Sequence, residues 1–228
     1  METHSSRDDR ITALAALDQP LRRQLHALLV ESGEWVSRDE AAAALGVARS
    51  VAAFHLDKLA DAGVVEVSFE RTTGRTGPGA GRTAKLYRLA DDELSASVPE
   101  RRYDLAAQLL ADAVAGSAAD GGPVAQQLEA AARDAGLRIG AECRGVQGGS
   151  GILDVLEQYG YDPCPLDDGQ IALVNCPFHR LAERHRSLVC GMNLDFLSGV
   201  VDGLDPDPTL QAELRPEPGW CCVRLRTR

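Results

Sequence analysis

Between Ser37 and Arg88 the spacing of apolar positions changes twice. From Ser37 to Leu45, and again from about Arg49 to Ala62, apolar residues recur at helical spacing, with Gly46 between the two runs. Val64, Val65 and Val67 then open a strand-like run, VVEVSFE, and AKLYRL supplies another beyond a loop rich in Gly and Arg. Helix, turn, helix and hairpin in that order predict a winged helix-turn-helix, a module that reads duplex DNA. Ser37 with Glu40 three residues on is a capping box for the first helix. Gly46 gives the backbone freedom for a sharp exit from it. In the second helix Val51, Leu56 and Leu59 are expected to face the core. Arg49, Ser50, Ala53 and Lys58 are left for solvent or a groove, and His55 is open to packing or to base reading.

The flanks follow the same logic. A helix is expected over about Arg10 to Leu17, with Ile11, Leu14 and Leu17 on one face. Asp18 is placed to cap the next, Pro20 suits its first turn, and Leu21, Leu25, Leu28 and Leu29 form its stripe. Asp91 to Pro99 is polar, acidic and broken by proline, as a boundary would be. Long helical patterns follow at about Glu100 to Gly116 and Val124 to Cys143, then a shorter one from Ile152 to Tyr159. GYDPCPLDDG reads as a turn-rich connection and IALVNC as a buried strand. A helical stretch lies within Pro177 to Gly203, and a last strand from Trp220 to Arg226. The expected architecture is α+β. It has a winged helix-turn-helix in 1–92, linking or dimerisation helices in 93–145, and a small α+β sensor domain in 146–228. The two-fold symmetry of operators favours a homodimer.

Charge sharpens the reading of the wing. Arg71, Arg75, Arg82, Lys85 and Arg88 stand against Glu70 alone. Arginine suits phosphate and the narrow minor groove, so Arg71, Arg75, Arg82 and Lys85 are candidate DNA contacts. The net charge of −10 resides wholly in residues 91–228, with 12 Lys/Arg and 22 Asp/Glu. It therefore says little about the DNA-facing surface. No apolar run approaching the roughly 20 residues of a membrane span is evident, and Met1 to Arg10 carries no signal-peptide core. A cytoplasmic protein without membrane association is expected, and stable disulfides are uncommon in that compartment.

The six cysteines then call for metal, redox or packing explanations. Cys176, Cys190, Cys221 and Cys222 fall where strands and helices end, so a shared site is conceivable. Thiolates suit iron–sulfur clusters or zinc. Buried cysteine as plain core filler is the competing reading. Cys221 and Cys222 are adjacent, so on a strand they point to opposite faces and one at most would ligate. Cys143 and Cys164 read as core or loop thiols. No CxxC and no Ser/His/Asp arrangement is present, so an enzyme is not expected.

With GVARSVAAFHLDKLADAGVVEV, the wing GRTGPGAGRTAKLYRL, the tail NCPFHRLAERHRSLVCGMN and the terminal CCVRL, nearly the whole chain resembles the SufR-like branch of the ArsR/DeoR-type winged-helix regulators. That resemblance implies a dimeric DNA-binding repressor that senses iron or redox state through an iron–sulfur cluster, by family [4Fe-4S]. It matches Cys176 and Cys190 to the first two ligands and Cys221 or Cys222 to the last. A fourth cysteine between Cys190 and Cys221 is missing, which leaves His179, His185, Cys164 or an external group for that place. Ala48 also stands where a Ser or Thr cap is usual before the recognition helix. Zinc or a small ligand in the C-terminal domain is the alternative.

Overall fold

The computed structural model describes residues 7–71, 83–90, 95–144, 151–205 and 209–227. The chain divides into two compact units, 1–96 and 97–228.

In the first unit, α1 (Arg7–Ala16) and α2 (Pro20–Ser32) precede a two-residue strand, β1 (Val36–Ser37). Then come α3 (Arg38–Leu45), α4 (Arg49–Asp61), β2 (Val65–Arg71) and β3 (Thr83–Leu89). The start of α2 differs from expectation. Gln19, not Asp18, is the cap, its side-chain oxygen accepting from the N–H groups of Leu21 and Arg22. The capping box of α3 is present, with Glu40 N–H on Ser37 Oγ at 3.2 Å and Ser37 N–H on Glu40 Oε2 at 2.8 Å. Gly46 closes α3 at φ +65°, a left-handed conformation that glycine adopts without a steric penalty. Ala48 caps α4 without a side-chain hydrogen bond.

The sheet runs in the order β1-β3-β2, antiparallel throughout, with β2 and β3 in register from Val65 opposite Leu89 to Arg71 opposite Thr83. Leu25, Leu29, Ala52, Leu56, Leu59 and Tyr87 fill the core beneath. Val51 departs from its expected core place and is 39% exposed. The buried stripe of α4 is Ala52, Leu56 and Leu59, one residue round the helix. On α1 it is Ala13 that is buried, while Ile11 and Leu14 lie exposed.

The second unit holds α5 (Tyr103–Asp120), α6 (Val124–Arg144), α7 (Ile152–Gln158), β4 (Pro163–Pro165) and β5 (Ile171–Leu173). It ends with α8 (His179–Arg184), α9 (Arg186–Leu204), β6 (Leu210–Leu214) and β7 (Val223–Thr227). Strands β4 and β6 join the two expected ones in an antiparallel sheet of order β4-β5-β7-β6. Two prolines hid β4, but it is an edge strand, where a missing N–H costs no ladder bond. Helices α5 and α6, expected as a separate linking segment, share the core of this unit. Ala106, Leu109, Leu128 and Ala132 pack in one cluster with Phe196, Val200 and Val223.

The axis of this unit is the contact of α6 with α9. A Cβ added to Gly136 or Gly140 would lie 2.1 or 2.4 Å from the carbonyl oxygens of Phe196 and Val200. Reciprocally, one on Gly199 or Gly203 would lie 2.2 or 2.4 Å from those of Arg133 and Leu137. Each helix thus presents two glycines four residues apart, and the backbones touch. Helix α9 is long and apolar enough by length and composition to cross a membrane, contrary to the expectation that no such run exists. More than half of that stretch is buried in this unit, so α9 reads as its core helix.

Candidate nucleic-acid interface and cysteine site

Helix α4 presents an outer face made by sequence spacing. Ser50, Val51, Phe54 and Lys58 are exposed, at positions that share one side of the helix. Phe54 is the largest of them and is 57% exposed, yet the sequence pattern gave it no outward role. Arg49 is exposed as expected, and its Nε meets Asp39 Oδ1 of α3 at 2.6 Å. Lys58 Nζ lies 3.1 Å from Asp61. Both pairs are exposed, and exposed ion pairs are weak enough to exchange for phosphate. Ala53 is half-buried. His55 is half-buried too, edge-on to Phe54 at 5.1 Å between ring centres. Burial and then the nearby Arg22 charge hold its pKa below the usual histidine range, which favours the neutral imidazole.

Lys85, a candidate for phosphate, holds its ammonium 2.6 Å from Asp57 Oδ1 of α4, and its side chain is three-quarters buried. Arg38 donates to both oxygens of the same carboxylate at 3.0 Å, and the Tyr87 hydroxyl donates to Oδ1 at 2.6 Å. Arg38 Nε also donates to the Tyr87 oxygen at 2.7 Å. One carboxylate on the recognition helix thus ties together α3, α4 and wing strand β3. Burial alone would raise the Asp57 pKa, but hydrogen bonds from Lys85, Tyr87 and Arg38 outweigh it and hold the carboxyl below the usual aspartate range. Burial, then the bond to Asp57, pushes Tyr87 up to about 12. These residues are 19 to 49 apart in sequence, so no local pattern announces them. Of the wing arginines, Arg71 ends β2, while Arg75 and Arg82 lie outside the described residues.

The four candidate cysteines fall into two pairs. Cys190, in the second turn of α9, is disulfide-bonded to Cys222, which immediately precedes β7. This corrects the expectation of free thiols. Cys176 and Cys221 are free, buried and hydrogen-bonded to each other. Cys221 N–H donates to Leu173 O of β5 at 2.8 Å, which seats its side chain in the core. Asn193 Nδ2 donates to Cys221 Sγ at 3.3 Å, and Asn193 accepts from the Tyr161 hydroxyl. The bond to Cys176, together with burial, raises the Cys221 thiol far above its usual range. Cys176 is lowered, first by that bond and then by the Phe178 N–H and the Arg101 charge, against the cost of burial. Within the inner pair the deprotonated form is therefore favoured more at Cys176 than at Cys221. Cys221 and Cys222 part as adjacent residues should, one into the core and one into the disulfide.

A cluster of four irons needs several thiolates converging on it. Among the described residues no group of three or more His, Cys, Asp or Glu is arranged to hold a metal. Cys190 and Cys222 spend their sulfurs on each other. Cys164 lies on β4 with its sulfur 4.0 Å from Pro165 O, and His179 faces Glu183 at 3.4 Å. His185 sits at the joint of α8 and α9. In this oxidised form the donors do not fit a cluster or a zinc ion.

Comparison with curated proteins and with solved structures returned no match. Residues 17–68, from the approach to α2 through the first half of β2, match a family model described as a helix-turn-helix domain. With the capped α3, the turn at Gly46, the open face of α4 and the β2–β3 hairpin, that match shows that the first unit carries a helix-turn-helix domain, which supports a DNA-binding transcriptional regulator.

Proposed function

We propose that this protein is a cytoplasmic, homodimeric transcription repressor whose C-terminal unit reports thiol redox state. The observation that carries the reading is the pairing of its cysteines, Cys190 with Cys222 in a disulfide and Cys176 with Cys221 as a buried, hydrogen-bonded pair of free thiols. In the DNA-bound state α4 lies in the major groove. Ser50 and Arg49 face base edges, Val51 and Phe54 meet thymine methyl groups, and Lys58 and Arg71, Arg75 and Arg82 meet backbone or minor groove. Lys85 acts indirectly, by fixing α4 against β3 through Asp57. A two-fold dimer would cover the exposed Ile11 and Leu14 of α1.

The test is duplex binding, on an operator found by in-vitro selection, with protein oxidised and fully reduced. Affinities differing by roughly 5- to 150-fold are expected, the range of ordinary allosteric coupling. Cys190→Ser should behave as the reduced form under both conditions. Equal affinities would remove the redox reading and leave DNA binding standing. A second reading, an iron–sulfur cluster held by Cys176, Cys190 and one of Cys221 or Cys222 after reduction, draws on the surroundings that favour a Cys176 thiolate. Iron and sulfide content of protein prepared without oxygen decides it, and a colourless preparation with one zinc would replace it with a zinc site.

A further inference from the structure

The Cys190–Cys222 disulfide does not lie in a featureless surface. It forms part of the wall of an open cleft of about 630 Å³, a size that suits a small molecule. The rim is cationic. Arg184 ends α8 and Arg186 begins α9, and both are exposed. Neither has an ion pair or side-chain hydrogen bond among the described residues. Arg186 and Cys190 are four residues apart on α9 and so share a face. Leu188 and Leu214, both exposed, add an apolar flank. No carboxylate is among the described residues lining the cleft. This is a local inversion of sign, since residues 91–228 carry 22 acidic against 12 basic side chains.

We propose that this cleft binds an anionic low-molecular-weight thiol and passes its electrons to the Cys190–Cys222 disulfide. The proposal rests on the redox reading above and names its reductant by chemical class. Arg184 and Arg186 attract the anion, and the leucines take its carbon skeleton. The ligand thiolate attacks Sγ of Cys222, the less buried of the two residues. A ligand–Cys222 disulfide forms, the Cys190–Cys222 bond breaks, and the electron pair leaves on Cys190 Sγ, which takes a proton from water. A second ligand thiolate then attacks the ligand sulfur of the mixed disulfide. It releases the oxidised ligand dimer and a Cys222 thiolate. Two thiols are oxidised and one protein disulfide is reduced, so the electrons balance.

The experiment measures the rate of disulfide opening in the full-length oxidised protein with three probes: glutathione (anionic), 2-mercaptoethanol (neutral) and cysteamine (cationic). Arg184→Ala with Arg186→Ala should slow glutathione by about tenfold or more at low salt, since focused charge raises encounter rates by at least that factor. The same variant should leave 2-mercaptoethanol unchanged and speed cysteamine. Comparing each reagent with itself cancels intrinsic thiol reactivity. Arg184→Lys with Arg186→Lys should keep the glutathione rate, and high salt should erase the preference in the unmodified protein, which needs no variant to fold. Mass spectrometry should find glutathione on Cys222. Equal effects on all three probes, or no salt dependence, would reduce the disulfide to a staple and overturn the proposal. So would six titratable thiols in air-exposed protein before any reductant is added. None of these outcomes depends on DNA affinity, so the cleft and the redox control of DNA binding fail separately.

Discussion

Tyr87 concentrates the residue-scale physics of the reading head. Its ring is fully buried, its hydroxyl donates to Asp57, and Lys85 and Arg38 lie 5.2 and 5.7 Å from its ring centre. The folded state favours the neutral phenol, whose pKa rises from 10.0 to about 12. Its stabilising contribution is therefore complete below pH 10 and is lost as pH climbs from 10 towards 12. A shift of that size corresponds to at most about 2–3 kcal/mol. Alkaline denaturation followed at Trp35 should show this loss, and Tyr87→Phe should flatten the curve above pH 10 while lowering stability at pH 7. An unchanged slope in Tyr87→Phe would mean the hydroxyl does not hold the network. Asp57 works in the opposite sense, since its carboxylate is favoured by its donors. Its contribution is present above the ordinary aspartate range and fades as pH falls below it. None of this was legible in the sequence, where Lys85 read as one more wing cation. The capping box was legible because Ser37 and Glu40 lie one turn apart, whereas the Asp57 network joins residues that only the fold brings together.

At the scale of elements, the α6–α9 contact gives a sharper test of packing than the hydrophobic core does. Gly140→Ala and Gly199→Ala each place a methyl inside a backbone carbonyl's van der Waals sphere, and no side-chain rotamer can relieve that. Overpacking of this kind costs about 1–3 kcal/mol, with the upper end expected here because backbone must move. Gly191 supplies the control within the same helix, since an added Cβ there meets nothing within 4 Å. Gly191→Ala should stabilise by about 0.5–1 kcal/mol through helix propensity. Urea midpoints of the three variants decide the matter, and similar values for all would mean α6 and α9 do not cross so closely. The glycine spacing was visible in the sequence, but Gly136–Gly140 and Gly199–Gly203 lie about sixty residues apart, and which glycines face each other is a property of the crossing. Strand β4 escaped for a local reason: Pro163 and Pro165 are strand breakers except at an edge, and an edge is known only once the sheet is built. Helices α3 and α4 were legible because the capping box, the turn at Gly46 and the helical spacing are local signals, although the spacing put Val51 on the core side, one residue away from the buried stripe of Ala52, Leu56 and Leu59.

Over the whole molecule, the two units carry one tryptophan each, Trp35 beside Arg88 in the first and Trp220 beside Arg224 in the second. This makes them separable by fluorescence. The Cys190–Cys222 bond closes a loop of 32 residues wholly inside the second unit. Constraining a loop of that length in the unfolded chain stabilises the folded state by about 3–4 kcal/mol. Reduction should therefore lower the urea midpoint reported by Trp220 in a Trp35→Phe variant. It should leave the midpoint reported by Trp35 in a Trp220→Phe variant where it was. Tyr87→Phe should do the reverse. If reduction moves both midpoints together, the units unfold as one and the disulfide's influence already reaches the reading head at equilibrium. If it moves neither, the bond adds no stability, and thiol exchange rather than folding becomes the simpler account of why α9 is tied to the segment between β6 and β7.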